Sequence, residues 1–261
     1  MTNREEQRKG RETAVNAQAA LREKAVTVTG LSKSYSGKKV IDNLNLTIRT
    51  GQIYGLLGAN GAGKSTAVEC ILGTRRADSG EVRILGMDPV TERRHLFEQV
   101  GVQFQEASYP DRIKVRELCE ETACLYEKTA DYRDLLRQFK LEDKADSMLS
   151  QLSGGQKQRL FIILALIPGP KVVFLDELTT GLDTKSRREV WKCLLEMKDK
   201  GLSICLVSHF MDEVEMLCDQ IGILRDGMFV FEGTVKEAVD ISPYSNLEDA
   251  YLWWTQEEEN R

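Results

Sequence analysis

Residues Gly58 to Thr66 read Gly-Ala-Asn-Gly-Ala-Gly-Lys-Ser-Thr, and a chain carrying that string has little choice about what must surround it. Gly58, Gly63, Lys64 and Ser65 fall in the register G-x-x-x-x-G-K-S/T, a phosphate-binding loop. Glycines let the backbone turn tightly enough to aim several N–H groups at one anion. Lys64 then adds charge for the β- and γ-phosphates, and the Ser65 hydroxyl can ligate Mg²⁺. The loop works only between a strand and a helix. Gln52 to Leu57 reads as a buried strand, and Ser65 to Leu72 as a helix whose start would face the phosphates. Chance gives the bare pattern in about one chain of this length in a hundred, and strand before plus helix after make coincidence rarer still.

A loop of this kind does not name a reaction, so the remaining segments must. Lys171-Val-Val-Phe-Leu-Asp176-Glu177 is an apolar run ending in two acids. That is the pattern of a parallel strand buried on both faces, with carboxylates at the end where such sheets bind ligands. Asp176 suits Mg²⁺ coordination, and Glu177 is placed to orient or deprotonate water. Gly201 to Val207 is another apolar strand, ending in Ser208-His209, which puts His209 on the same edge. Ser153 is a good N-cap in Leu152-Ser-Gly-Gly-Gln156, just before the apolar run Leu160 to Ile167. This segment reads either as an ordinary capped helix start or as a second anion contact through Gly154 and Gly155. Tyr35, ahead of the strand that carries Leu44, Leu46 and Ile48, could stack on a base or simply close a hairpin.

Around these pieces, Val26, Val28 and Leu31 alternate as in a half-buried strand, Asp78-Ser79-Gly80 turns into a strand over Glu81 to Leu85, and Val100 to Phe104 makes another, ending in Gln105. From Lys114 to about Ser150 the period becomes helical, with Val115, Leu118, Cys119, Thr122, Leu125 and Tyr126 on one face. Arg225-Asp226-Gly227 predicts a hairpin turn. Leu247, Tyr251, Leu252, Trp253 and Trp254 predict a short helix near the end, either packed or in contact with a partner.

Bulk properties exclude several classes. With 41% hydrophobic residues the chain can build a large core. Lys and Arg total 36 against 41 Asp and Glu, a formal net charge of −5, so no nucleic-acid partner is expected. The six cysteines form no C-x-x-C pair and read as reduced core residues of a cytosolic protein. The apolar run Leu160 to Ile167 is eight residues long, far short of the roughly 20 that span a bilayer. The first 23 residues are polar and of mixed charge, which predicts an extension without the apolar core of a secretion signal.

Taken together, the chain resembles the nucleotide-binding subunit of an ATP-binding cassette (ABC) transporter from about Ala25 to Glu237. Gly58 to Ser65 looks like the Walker A loop, Val172 to Asp176 the Walker B strand, and Glu177 holds the catalytic glutamate position. Leu152 to Gln156 matches the LSGGQ signature, Gln105 the Q-loop, Gly181-Leu182-Asp183 the D-loop, His209 the switch histidine and Tyr35 the base-stacking aromatic. The resemblance implies an α/β fold of the P-loop NTPase class with an antiparallel β subdomain, a RecA-like core and a helical insert. It implies a polar extension over 1–23, a cassette over 24–238 with the helical subdomain at about 106–165, and a tail over 239–261. ATP and Mg²⁺ are the implied cofactors. Tyr35, the loop residues Gly58, Ala59, Asn60, Gly61, Ala62, Gly63, Lys64, Ser65 and Thr66, and Ser153, Gly154, Gly155, Gln156 and Asp183 would contact nucleotide. Ser65, Gln105 and Asp176 would hold the metal, with Glu177, His209, Lys64 and Gln105 catalytic.

Two such subunits, identical or related, pair head to tail in the family as a homodimer or heterodimer, so the signature of one closes over the γ-phosphate held by the other's Lys64. The helical insert with Gln105 would couple that closure to a separate transmembrane permease, placing the chain at the cytoplasmic face of the cell membrane. The single short cassette, Val102 to Glu106 and the ending Leu247 to Leu252 resemble bacterial drug or antibiotic exporters. One departure stands out: the family's usual proline after the catalytic glutamate is Leu178 here. That restores a backbone N–H and frees φ, so the turn can differ while both carboxylates remain and hydrolysis is expected to survive. The rival expectations are a soluble ABC ATPase acting on ribosomes or DNA, and a regulatory subunit without turnover.

Overall fold

The computed structural model describes residues 24–103, 109–179 and 181–256. The expected N-terminal extension, Gln105 and the acidic end of the tail lie outside them.

Strands β1 (Lys24–Tyr35), β2 (Lys38–Arg49) and β4 (Ser79–Ile84) form an antiparallel sheet in the order β2-β1-β4. Six strands make the second sheet: β3 (Ile53–Gly58), β5 (Val100–Gln103), β6 (Val172–Asp176), β7 (Ser203–Val207), β8 (Gln220–Arg225) and β9 (Met228–Gly233). Their order is β5-β6-β7-β3-β8-β9, parallel throughout except for β9. The register sets Leu56 and Asp176 opposite Val207 on either side of β7. The C-terminal ends of β3, β7 and β6 therefore form one continuous edge, where open α/β sheets bind ligands.

Burial explains the strand sequences. On β6, Val173 and Leu175 face one core while Val172 and Phe174 face the other, all of them almost inaccessible. A strand covered on both sides has no polar alternation, hence the unbroken run before Asp176. The first core lies against helix α5 (Gly154–Leu166) and helix α6 (Thr184–Asp199); the second fills the space between the sheets under helix α1 (Lys64–Ile71). The Asp-Gly hairpin between β8 and β9 forms as its sequence predicts, with positive φ at Asp226 (50°) and Gly227 (81°). At the C-terminal end, helix α9 (Leu247–Thr255) packs Trp254 against Phe231, ring centroids 5.0 Å apart, and the indole donates to the Ala238 carbonyl at 3.0 Å. Leu252 of the same helix is half exposed, so the apolar residues of the tail divide between core and surface.

The helical region corrects one expectation. Helix α3 (Val115–Ala123) buries Val115, Leu118 and Cys119 as expected, but it stops before Leu125, which is 75% exposed. Leu125 and Tyr126 donate to the carbonyls three residues back, Thr122 and Ala123. Such i to i−3 bonds overwind the last turn and rotate later residues off the apolar face.

Candidate active site

The phosphate-binding loop leaves β3 and enters α1 through Gly63, whose φ of 107° only glycine adopts without strain. A Cβ on Gly63 would also come within 2.7 Å of the Val40 carbonyl oxygen and 2.8 Å of Ile41. Gly61 differs: its φ is 83°, but a Cβ there would meet nothing within 4 Å. The loop is thus clamped by β2 at its rear and open at its front, a cradle with the character of an anion-binding turn at a helix start. Lys64 donates to the carbonyls of Gly58 at 2.7 Å and Ala59 at 3.1 Å, which lays its ammonium along the cradle. Burial lowers the Lys64 pKa, with Asp176 and Glu177 pulling it back up. Burial likewise lifts the Asp176 carboxyl above its ordinary range, Glu177 adding to the rise and Lys64 opposing it.

At the end of β6 the chain turns through Glu177 at φ 51°, a left-handed conformation. A proline ring at the next position would push its predecessor toward extended geometry; Leu178 leaves that turn free and is itself fully buried in the first core. The Glu177 amide donates to Val207 O of β7 at 2.9 Å, fixing one strand end on the next. His209 follows β7, and its Nδ1 lies 3.6 Å from Glu177 Oε1, the histidine half exposed and the glutamate mostly covered. A carboxylate and an imidazole with one edge open to water form a pair able to bind and orient a water molecule.

Other expected residues sit apart. Ser153 caps α5, accepting from the Gln156 amide at 3.3 Å while Gln156 Oε1 accepts from the Ser153 amide at 2.9 Å, a reciprocal capping box. Ser153 and Gly154 are exposed, and no hydrogen bond or ion pair joins Ser153 to Lys64 among the described residues. A Cβ on Gly155 would touch Leu182 at 3.0 Å, so the signature turn lies against the segment leading to Asp183. Asp183 caps α6, its carboxylate accepting from the Lys185 and Ser186 amides and the Ser186 hydroxyl, which hold it below the usual carboxylate range. Tyr35, partly exposed at the end of β1, faces the Lys33 ammonium at 5.3 Å and the Arg75 guanidinium at 5.5 Å from its ring centre.

Sequence reasoning passed over two buried groups. Gln103, the last residue of β5, accepts at Oε1 from the Asp176 amide at 3.2 Å and is almost wholly buried. Glu213, in helix α7 (Met211–Leu217), is buried completely behind His209. Neither is legible as such: a glutamine at a strand end and a glutamate in a helix's first turn are ordinary surface patterns.

Known proteins share this fold. The family described as ABC transporter matches residues 41–180. A Nod factor export ATP-binding protein I from Burkholderia thailandensis is 38% identical over 216 residues, covering 80% of this chain and 71% of its own length. Its counterpart from Rhizobium meliloti is 39% identical over 222 residues, 83% of this chain and 66% of that one. A solved structure, described as the ATP-binding subunit of an ABC transporter, superposes with a TM-score of 0.80 at 25% identity over 89% of this chain and 100% of that one. With the phosphate-binding loop, the acidic strand end and the parallel sheet already in place, these likenesses show that the chain belongs to the ABC transporter family, as one of its ATP-binding cassettes.

Proposed function

We propose that this cassette hydrolyses ATP at the shared edge of β3, β6 and β7 and delivers the work to a separate membrane-spanning permease, from the cytoplasmic face of the cell membrane. The observation that carries the reading is the Glu177–His209 pair, 3.6 Å apart at neighbouring strand ends, with Lys64 held close to the same carboxylates. The open front of the cradle at Gly61 and the left-handed glycines around it fit a triphosphate. Backbone N–H groups from Gly58 to Thr66 would hold its oxygens, with Lys64 supplying charge and Tyr35 a face for the base. Ser65 and Asp176 have the oxygen chemistry for Mg²⁺, and Gln105 is the third ligand in this reading. Such an ion, when bound, would supply positive charge to offset that of the phosphate oxygens. Glu177 then accepts a hydrogen bond from the attacking water, and His209 donates one toward the γ-phosphate.

Ser153, Gly154, Gly155, Gln156 and Asp183 would meet nucleotide from a second subunit, for which the exposure of Ser153 and Gly154 at the start of α5 leaves the signature turn accessible. Export is the direction for which the relatives are named, and a drug, peptide or lipid-like cargo is the class inferred, its identity set by the permease. The test is Glu177→Gln. It should bind ATP as the natural protein does and turn over about 100-fold more slowly or worse; near-normal turnover would remove Glu177 from the mechanism.

A further inference from the structure

Behind the Glu177–His209 pair lies a buried carboxylate that the chemistry above does not use. Glu213 is the third residue of α7, where an acid ordinarily reaches back to the amide at the helix cap. Here that amide, from Phe210, donates to Ser208 Oγ at 3.1 Å instead, and Glu213 turns inward to full burial. Its Oε2 accepts the Ser208 hydroxyl at 2.5 Å, and its Oε1 accepts the Trp191 indole N–H of α6 at 3.2 Å. The buried Thr179 hydroxyl faces the same carboxylate but falls outside hydrogen-bonding geometry. Glu213 thus ties β7's end just before His209 to α6 eight residues beyond its cap at Asp183, with the chain two residues after Glu177 alongside. The outer side of the same junction is pinned by Arg187, which pairs with Asp212 at 2.7 Å and lies over the Phe210 ring at 4.9 Å. Phe210 in turn stacks beside His209, ring centres 4.1 Å apart.

Packing alone does not account for such a group, since an apolar side chain of similar volume would fill the site without the desolvation cost of a carboxylate. What a carboxylate adds is direction: two donors converge on it and fix the Ser208 rotamer, and with it the backbone that carries His209. We propose that Glu213 is a positioning residue for hydrolysis, holding the Ser208–Phe210 segment so that His209 stays in register with Glu177. The inference rests on the assignment of Glu177 and His209 above.

The test is a double-mutant cycle in the full chain between Glu213→Gln and His209→Ala, read by single-turnover hydrolysis of γ-labelled ATP followed over hours, with ATP affinity measured alongside. Glutamine keeps the volume but sets an amide N–H₂ against one of two donors. Expected is a loss of about tenfold in rate for Glu213→Gln, affinity within about twofold of the natural protein, and little further loss when His209 is already alanine. Ser208→Ala cuts the same link from the other side and should reproduce the pattern, which covers a Glu213→Gln protein that fails to fold. A slow His209→Ala beside Glu213→Gln and Ser208→Ala at the natural rate would overturn this inference alone, as would losses that multiply in the double variant. A natural rate in His209→Ala would overturn the His209 assignment and this inference together.

Discussion

Asp176 shows at the scale of one residue how a site opposes the fold that carries it. Its carboxyl is lifted above the ordinary range chiefly by burial, so the folded protein holds that proton more tightly than the unfolded chain does. At neutral pH the ionised group therefore works against folding, and the penalty fades as pH falls through the raised folded value toward the unfolded one. Asp176→Asn, with no charge to bury, should raise the melting temperature measured without nucleotide by up to about 3 °C, a small gain because water still reaches part of the group. The difference from the natural protein should shrink in acid, and Mg²⁺-dependent nucleotide binding should weaken. An unchanged or lower melting temperature near neutral pH would show that the Lys64 pairing outweighs burial. The same balance explains why Asp176 and Glu177 were legible from sequence: two acids ending a run as apolar as Val172 to Leu175 have few structural uses.

Among the elements, legibility followed the range of the interactions that shape them. Strands β3 and β6, helix α1 and the Asp226-Gly227 hairpin are set by neighbours along the chain, and each forms where periodicity and turn chemistry put it. The end of α3 is not legible in the sequence because an i to i−3 bond leaves no mark in the apolar pattern. Glu213 was missed because its partner Trp191 is 22 residues distant, and Gln103 because its partner is 73 residues away. Helix α9 is an intermediate case: its aromatic content predicted a helix, but only the structure separates buried Trp254 from exposed Leu252. Trp254 closes a core shared with Leu57, Val214, Ile223 and Phe231, and Leu57 lies in β3 just ahead of the phosphate-binding loop. Trp254→Ala should thus cost about 3 kcal/mol, read as a drop in denaturant midpoint with unchanged slope, while turnover per folded molecule stays at the natural level. A midpoint that does not move would mean that α9 is an appendage and not part of the cassette's core.

At the scale of the whole molecule, the phosphate-binding loop and the signature turn belong to different elements, one entering α1 and the other starting α5. The phosphate cradle, Asp176, Glu177 and His209 share one sheet edge, whereas the signature turn opens outward at the start of α5. Gly154, first residue of that helix, is exposed, and a Cβ there would meet nothing within 4 Å. A side chain at this position should leave the fold intact, and a glutamate should even favour the helix start through the dipole. If the turn's purpose is to close over a γ-phosphate held by a second copy, the same carboxylate would repel that phosphate at the moment of closure. Glu177→Gln should accumulate as a dimer when ATP and Mg²⁺ are added, by light scattering after size exclusion. Combining it with Gly154→Glu should return the protein to monomers that bind ATP with undiminished affinity and melt no lower than before. A dimer that survives the added glutamate would mean that the subunits meet through some other surface, and that each chain completes its nucleotide site alone.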